Sequence, residues 1–118
     1  MWETIELREL RVFLALAEEL HFGSTAARLG LTQSRVSQSL RELEHKVGGR
    51  LFHRTSRRVR LSPLGERFLA EVGPAYAALA HALEAAHLAN RSLAGTLRLG
   101  LLVPMSGGPH LMDKTDSW

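Results

Sequence analysis

The chain has 118 residues, with 15 Lys plus Arg against 12 Asp plus Glu, a formal net charge of +3 and no Cys. That length suits one small domain with an appendage, and the lack of Cys excludes disulfide scaffolds, thiol nucleophiles and Cys-ligated zinc. No apolar run approaches the ~18 residues of a bilayer span, and the opening Met1-Trp2-Glu3-Thr4-Ile5-Glu6 is no basic leader, so a cytoplasmic protein without a membrane partner is expected.

The charge is unevenly placed. Residues 21–67 hold ten basic and three acidic side chains, a local +7, whereas the rest of the chain holds five basic and nine acidic, a local −4. A basic block inside an acidic chain is the footprint of a polyanion partner.

In chain order, Leu7, Leu10, Phe13, Leu14, Ala17 and Leu20 recur at spacings of three and four, with Glu6, Arg8, Glu9, Arg11, Glu18 and Glu19 between them. This predicts an amphipathic helix over 5–20. His21, Phe22 and Gly23 interrupt it, with Phe22 read as a core aromatic beneath the turn. Ser24 or Thr25 is the expected cap of a short second helix built on Ala26, Ala27 and Leu29, and Gly30 stops that helix in the left-handed conformation. Thr32 then caps a third helix running to Val47, in which Val36, Leu40, Leu43 and Val47 form the buried stripe. Its other face carries Gln33, Ser34, Arg35, Ser37, Gln38, Arg41 and Lys46, and Gly48-Gly49 ends it.

Two short extended runs, 51–55 and 59–61, flank Ser56-Arg57-Arg58 and predict a β-hairpin with arginines at its tip. Ser62-Pro63 is a strong helix start. From there the pattern is helical to about residue 90, with Phe68, Val72, Tyr76, Leu79, Leu83 and Ala86 on one seam; such a helix would be roughly 40 Å long. Pro74 removes a backbone donor within it, so a bend is expected near Gly73-Pro74. Residues 91–95 read as a linker and 96–103 as a strand, Leu97, Leu99 and Leu101 alternating with Arg98 and Gly100. No periodicity follows from Pro104 to Trp118.

Two short helices joined by a tight turn, the second offering Gln, Ser and Arg outward, have the parts of a helix-turn-helix. Gln can pair with adenine, Arg with guanine and Ser with either along the major groove of double-stranded DNA. Gln33, Ser34, Arg35, Ser37 and Gln38 are therefore the candidate base readers, and Arg41, one turn on, suits a phosphate. Ser24, Thr25 and Thr32, at helix N-termini, are candidates for the DNA backbone. Arg54, Arg57, Arg58 and Arg60 exceed what a two-stranded ribbon needs for solubility, and arginines at a wing can enter a minor groove or neutralise phosphates. Taken singly, the polar helix face reads as a solvated surface and the arginine turn is ambiguous. Their occurrence together beside a Gly-broken helix pair favours nucleic-acid binding.

These residues carry a family resemblance. The segments LRELRVFLALA at 7–17, HFGSTAARL at 21–29, TQSRVSQSLRELE at 32–44, GRLFHR at 49–54 and RRVRLSPLG at 57–65 resemble the N-terminal DNA-binding domain of LysR-type transcriptional regulators, with unbroken spacing over about half the chain. The resemblance implies that Gln33, Ser34, Arg35, Ser37 and Gln38 enter the major groove and that Arg54, Arg57 and Arg58 belong to the wing. It also implies that the helix after Pro63 pairs two subunits. Position 38 is often Arg or Lys in the family and position 35 often small, so Gln38 and Arg35 alter the donor pattern and the target sequence does not transfer. Family members continue into an effector-binding domain; 96–103 resembles its first strand and Ser106-Gly107-Gly108 the turn after it.

The expected fold is mainly α: a winged helix-turn-helix over 5–62 (helix-turn-helix 22–47, wing 50–61), a dimerisation helix over 63–90, and a tail over 91–118 with a remnant strand. The seam from Phe68 to Ala86 outruns a domain of about 60 residues, so it is expected to meet the same helix of a second copy, packed antiparallel. The expected function is sequence-specific DNA binding as a homodimer. The alternative is a truncated regulator that pairs with full-length relatives or occupies operators without responding to a ligand. An enzyme is disfavoured: His81 and His87 are six apart on one helix, His21, His45 and His53 lack an acidic cluster, and no phosphate loop or Gly-x-Ser-x-Gly is present. No cofactor, metal or small-molecule effector site is expected in these residues.

Overall fold

The computed structural model describes residues 2–55 and 58–99, the last eight of these as helical backbone alone. After a single 3-10 turn, Trp2–Thr4, come α1 (Leu7–Glu19), α2 (Phe22–Leu29), α3 (Gln33–Val47), β1 (Phe52–Arg54), β2 (Val59–Leu61) and α4 (Pro63–Leu99). This is the expected mainly α architecture with a two-stranded hairpin and a long final helix. The chain divides into two compact units between Gly73 and Pro74, and α4 is helical across that dipeptide.

The first unit is built around α1. Phe13, Leu16, Leu40, Leu43, Leu51 and Phe52 are fully buried together. The Phe13 ring lies 5.5 Å from that of Phe52 and 5.0 Å, edge-on, from that of Phe68, so one α1 side chain joins the hairpin and the start of α4. A second small cluster, Val12, Ala26 and Val36, unites α1, α2 and α3. The buried face of α1 is Val12, Phe13, Ala15 and Leu16, whereas Leu7 and Leu20 are exposed. The expected stripe is thus displaced around the helix, because α1 packs against both α2 and α3 and is enclosed on more than one side.

Backbone chemistry sets the turns. α1 ends on Leu20 at φ 52°, its N–H donating to the Leu16 carbonyl at 2.7 Å; that conformation costs a Cβ-bearing residue about 1 to 2 kcal/mol. Gly30 (φ 70°) and Gly48 (φ 94°) end α2 and α3 as expected. The hairpin pairs Phe52 with Leu61, His53 with Arg60 and Arg54 with Val59. Its turn is closed by Thr55 N–H to the Arg58 carbonyl at 2.8 Å and by Arg58 N–H to Thr55 Oγ1 at 3.0 Å. Ser62 caps α4 as expected, its hydroxyl accepting from Gly65 N–H at 2.9 Å and donating to the Arg50 carbonyl at 2.6 Å. Gly65 is obligatory, since a Cβ there would overlap the Leu51 carbonyl oxygen.

At the C-terminal end the expected linker over 91–95 and the start of the strand over 96–103 are corrected: α4 continues through Leu99. A lone strand has no ladder partner, whereas a helix satisfies its own backbone groups, and Leu, Ala and Arg favour it. The remainder of that strand, from Gly100, and the tail to Trp118 lie outside the described residues.

Candidate nucleic-acid interface

Gly30 reverses the chain after α2, and Leu31 N–H donates back to the Ala26 carbonyl at 2.9 Å. Thr32 then caps α3 as expected, its Oγ1 accepting from Arg35 N–H at 3.0 Å. With Val36, Leu40 and Leu43 at 0 % exposure, the roll of α3 about its axis is settled. Gln33, Ser34, Arg35, Gln38 and Arg41 are exposed and Ser37 is half-buried. Arg41 Nη1 donates to Ser37 Oγ and Gln38 Nε2 to Glu42 Oε2, both at 3.4 Å. These long, exposed bonds hold the side chains loosely enough for them to exchange partners.

The N-terminus of α2 differs from expectation. Its cap is His21, whose Nδ1 accepts from Ser24 N–H at 3.0 Å, and the helix begins at Phe22. Thr25 is fully buried, with its N–H and its hydroxyl both donating to the His21 carbonyl, at 3.0 and 2.8 Å. The expectation that Thr25 contacts a DNA backbone is therefore corrected, since every donor it has is engaged inside the fold. Ser24 stays on the surface, but its amide donates to the imidazole Nδ1 at 3.0 Å and its hydroxyl oxygen lies 3.2 Å from the same nitrogen.

Two buried carboxylates, read in sequence as ordinary surface charge or passed over, hold the scaffold. Glu44 Oε2 accepts from Leu51 N–H at 2.8 Å and Phe52 N–H at 3.3 Å, tying the C-terminal half of α3 to the root of the hairpin. Glu9 accepts from Glu6 N–H at 3.1 Å and pairs with Lys46 at 2.8 Å, while Lys46 also donates to the Thr4 carbonyl at 2.7 Å. Lys46, expected on the outward face of α3, is thereby half-buried and turned toward α1. The signals were faint: Glu9 stands three residues after the cap, as in a capping box, and Glu44 adjoins the buried Leu43.

The hairpin is also tied to α2. The Arg54 guanidinium lies 5.0 Å over the Phe22 ring, a cation–π contact, so Phe22 is both a half-buried core aromatic and the platform for a wing arginine. Between them is a groove of about 350 Å³ bounded by His21, Gly23, Gln33, Arg54, Thr55 and Arg58. Arg57 and Ser56 lie outside the described residues.

The basic block is smaller in space than in sequence. Arg28 is held by Glu18 at 2.7 Å and Glu19 at 3.2 Å, and their hydrogen bonds and charge raise its pKa above the ordinary guanidinium value. Lys46 is spent on Glu9, and Arg50 lies 3.8 Å from Glu44. Arg35, Arg41, Arg58 and Arg60 are exposed and make no ion pair among the described residues. They flank the exposed start of α3 and line the hairpin.

Residues 7–66 match the family described as bacterial regulatory helix-turn-helix protein, lysR family. The chain belongs to the LysR family. Among its relatives, the uncharacterized HTH-type transcriptional regulator YnfL of Escherichia coli (strain K12) is 45% identical over 96% of this chain and 37% of its own length. The HTH-type transcriptional regulator ShiR of Corynebacterium glutamicum is 43% identical over 81% of this chain and 32% of its own. This LysR-family chain thus spans about a third of the length of those relatives. Among solved structures, the BenM DNA-binding domain in its complex with catB site 1 DNA is 30% identical, with a TM-score of 0.62 over 76% of this chain and 92% of that one.

On α4 the expected seam separates into two parts. Phe68, half-buried, packs edge-on against Phe13 at the core of the winged domain. Val72 and Tyr76 are half-buried and Ala86 is exposed. In the second unit Leu79 is 41% and Leu83 57% exposed, and Leu88 is 40% exposed.

Proposed function

We propose that this LysR-family chain binds double-stranded DNA as a homodimer and so regulates transcription in the bacterial cytoplasm, without catalytic chemistry. In this reading α3 enters the major groove, with Gln33, Ser34, Arg35, Ser37 and Gln38 toward the base edges. Thr32 and Arg41 take phosphates, Ser24 lies beside the same DNA backbone, and Arg54, Arg57 and Arg58 work on the adjoining stretch. The observation that carries it is the burial of Val36, Leu40 and Leu43 on α3, which leaves Gln33, Arg35 and Gln38 exposed beside a hairpin tied to the same helix by Glu44.

The dimer is supported by Leu79 and Leu83, large apolar side chains one helical turn apart and exposed on α4. Two copies of α4 packed antiparallel would cover them. A two-fold axis would then place two α3 helices on half-sites about 34 Å apart, one turn of duplex.

Fluorescence anisotropy on a random-sequence duplex pool, followed by selection of the tightest binders, tests the reading. With about 6 to 10 phosphate contacts per dimer, affinity falls by roughly 10³ to 10⁵ between 50 and 200 mM salt. Binding indifferent to salt overturns the electrostatic part. Light scattering on the eluting protein is expected to give twice the monomer mass, and a monomer at all concentrations removes the dimer.

A further inference from the structure

We propose that His21 is a DNA-backbone donor, its imidazole held by the α2 cap so that Nε2–H faces the groove between α2 and the hairpin and donates to a phosphate there. This deepens the DNA-binding reading above and rests on it.

Ser24 N–H, a group that can only donate, lies 3.0 Å from His21 Nδ1, and Ser24 Oγ, whose hydroxyl can donate to the same nitrogen, lies 3.2 Å from it. Nδ1 therefore carries the lone pair, and in a neutral imidazole the proton must sit on Nε2. The ring is exposed, and Nε2 has no partner among the described residues, so the cap aims an unused donor at solvent.

Position supplies the acceptor. His21 shares its groove with Arg54 and Arg58, and Arg54 is held over Phe22, the next residue. A donor flanked by two guanidiniums at the N-terminus of the first helix of a helix-turn-helix suits a phosphate, since that helix crosses the backbone while the second reads bases. Gly23 leaves room for the ring: a Cβ there would lie 2.9 Å from His21 Cε1 and 3.3 Å from Gln33 Nε2. The imidazole and the Gln33 carboxamide thus share the space over one glycine, which links the backbone donor to the first base-reading residue of α3.

A neutral donor adds affinity without releasing a counterion, and that separates His21 from the arginines around it. The test uses the full chain on its selected duplex. His21→Ser and His21→Asn both keep a capping oxygen for Ser24 N–H; serine cannot reach the groove, whereas asparagine retains an N–H donor. H21S is expected to weaken binding about tenfold, as for loss of a hydrogen bond to a charged group, with the slope of log affinity against log salt unchanged. H21N should recover part of the loss. Nitrogen NMR of the His21 ring is expected to show the Nε2–H tautomer in free protein and an Nε2 proton slowed in exchange when DNA is added, a readout that needs no variant.

Parental affinity in a folded H21S variant overturns the proposal while leaving DNA binding intact. The Nδ1–H tautomer overturns it too, and so does an Nε2 proton indifferent to DNA. A parent protein that binds no duplex overturns both this proposal and the reading beneath it.

Discussion

α3 and the second half of α4 are both regular helices with an apolar stripe, yet they end up opposite in character. On α3 Val36, Leu40 and Leu43 are at 0 % exposure and the polar face is outside; on α4 beyond Pro74 the leucines Leu79 and Leu83 are on the surface. The helix whose apolar side is already satisfied can offer only polar and charged groups, so its partner must be polar and anionic. The helix whose apolar side is open gains most by covering it, so its partner must be apolar, and a second α4 answers that need. One chain thus carries two binding surfaces distinguished by what the fold has left uncovered.

The comparison can be broken at several points. Leu40→Ala removes a fully buried side chain beneath the polar face of α3 and is expected to cost about 2 to 5 kcal/mol, measured by urea unfolding; Leu79→Ala should cost far less, and equal costs would remove the distinction. Glu44→Ala leaves the amides of Leu51 and Phe52 without their carboxylate acceptor, for an expected loss of about 1 to 3 kcal/mol, and the weakened hairpin should lower DNA affinity more than sequence preference.

Leu83→Glu places a charge among the exposed leucines. It should weaken dimerisation at least about tenfold, the effect of roughly 1.4 kcal/mol, with the winged domain's unfolding midpoint unchanged; sedimentation equilibrium would show it. Arg58→Ala is the mildest, a weakening of about threefold for every sequence, with a salt slope smaller by about one. Arg28→Ala, whose charge Glu18 and Glu19 already neutralise, should leave that slope alone. A change in the slope equal to that of Arg58→Ala would show the basic block acting as a whole.

Much of the candidate interface was legible because it is made of local signals. The 4, 3, 4 spacing of Val36, Leu40, Leu43 and Val47, the Thr32 cap and the Gly30 and Gly48 stops each act within a few residues, and α3 appears where they put it. Other features were not legible for the same reason. His21 as the cap of α2 competes with Ser24 and Thr25, better caps by residue type, and loses its anonymity only when Thr25 is found in the core. The burial of Glu9 depends on Lys46, 37 positions away, and no periodicity contains that partner. The alternating leucines from 97 suit a strand by pattern, but a strand needs a neighbour and a helix does not.

By itself the sequence determined the helix-turn-helix, the hairpin, the start of α4 at Pro63 and the family, since caps, breakers, periodicity and motif spacing are properties of neighbouring residues. Only the tertiary structure decided which charges are available. The block of +7 counts Arg28 and Lys46, and contacts with Glu18, Glu19 and Glu9, all outside it, neutralise those two. It also decided that Phe68 packs against Phe13 and that His21 lines a groove with Arg54 and Arg58, because each depends on what a distant segment brings against it.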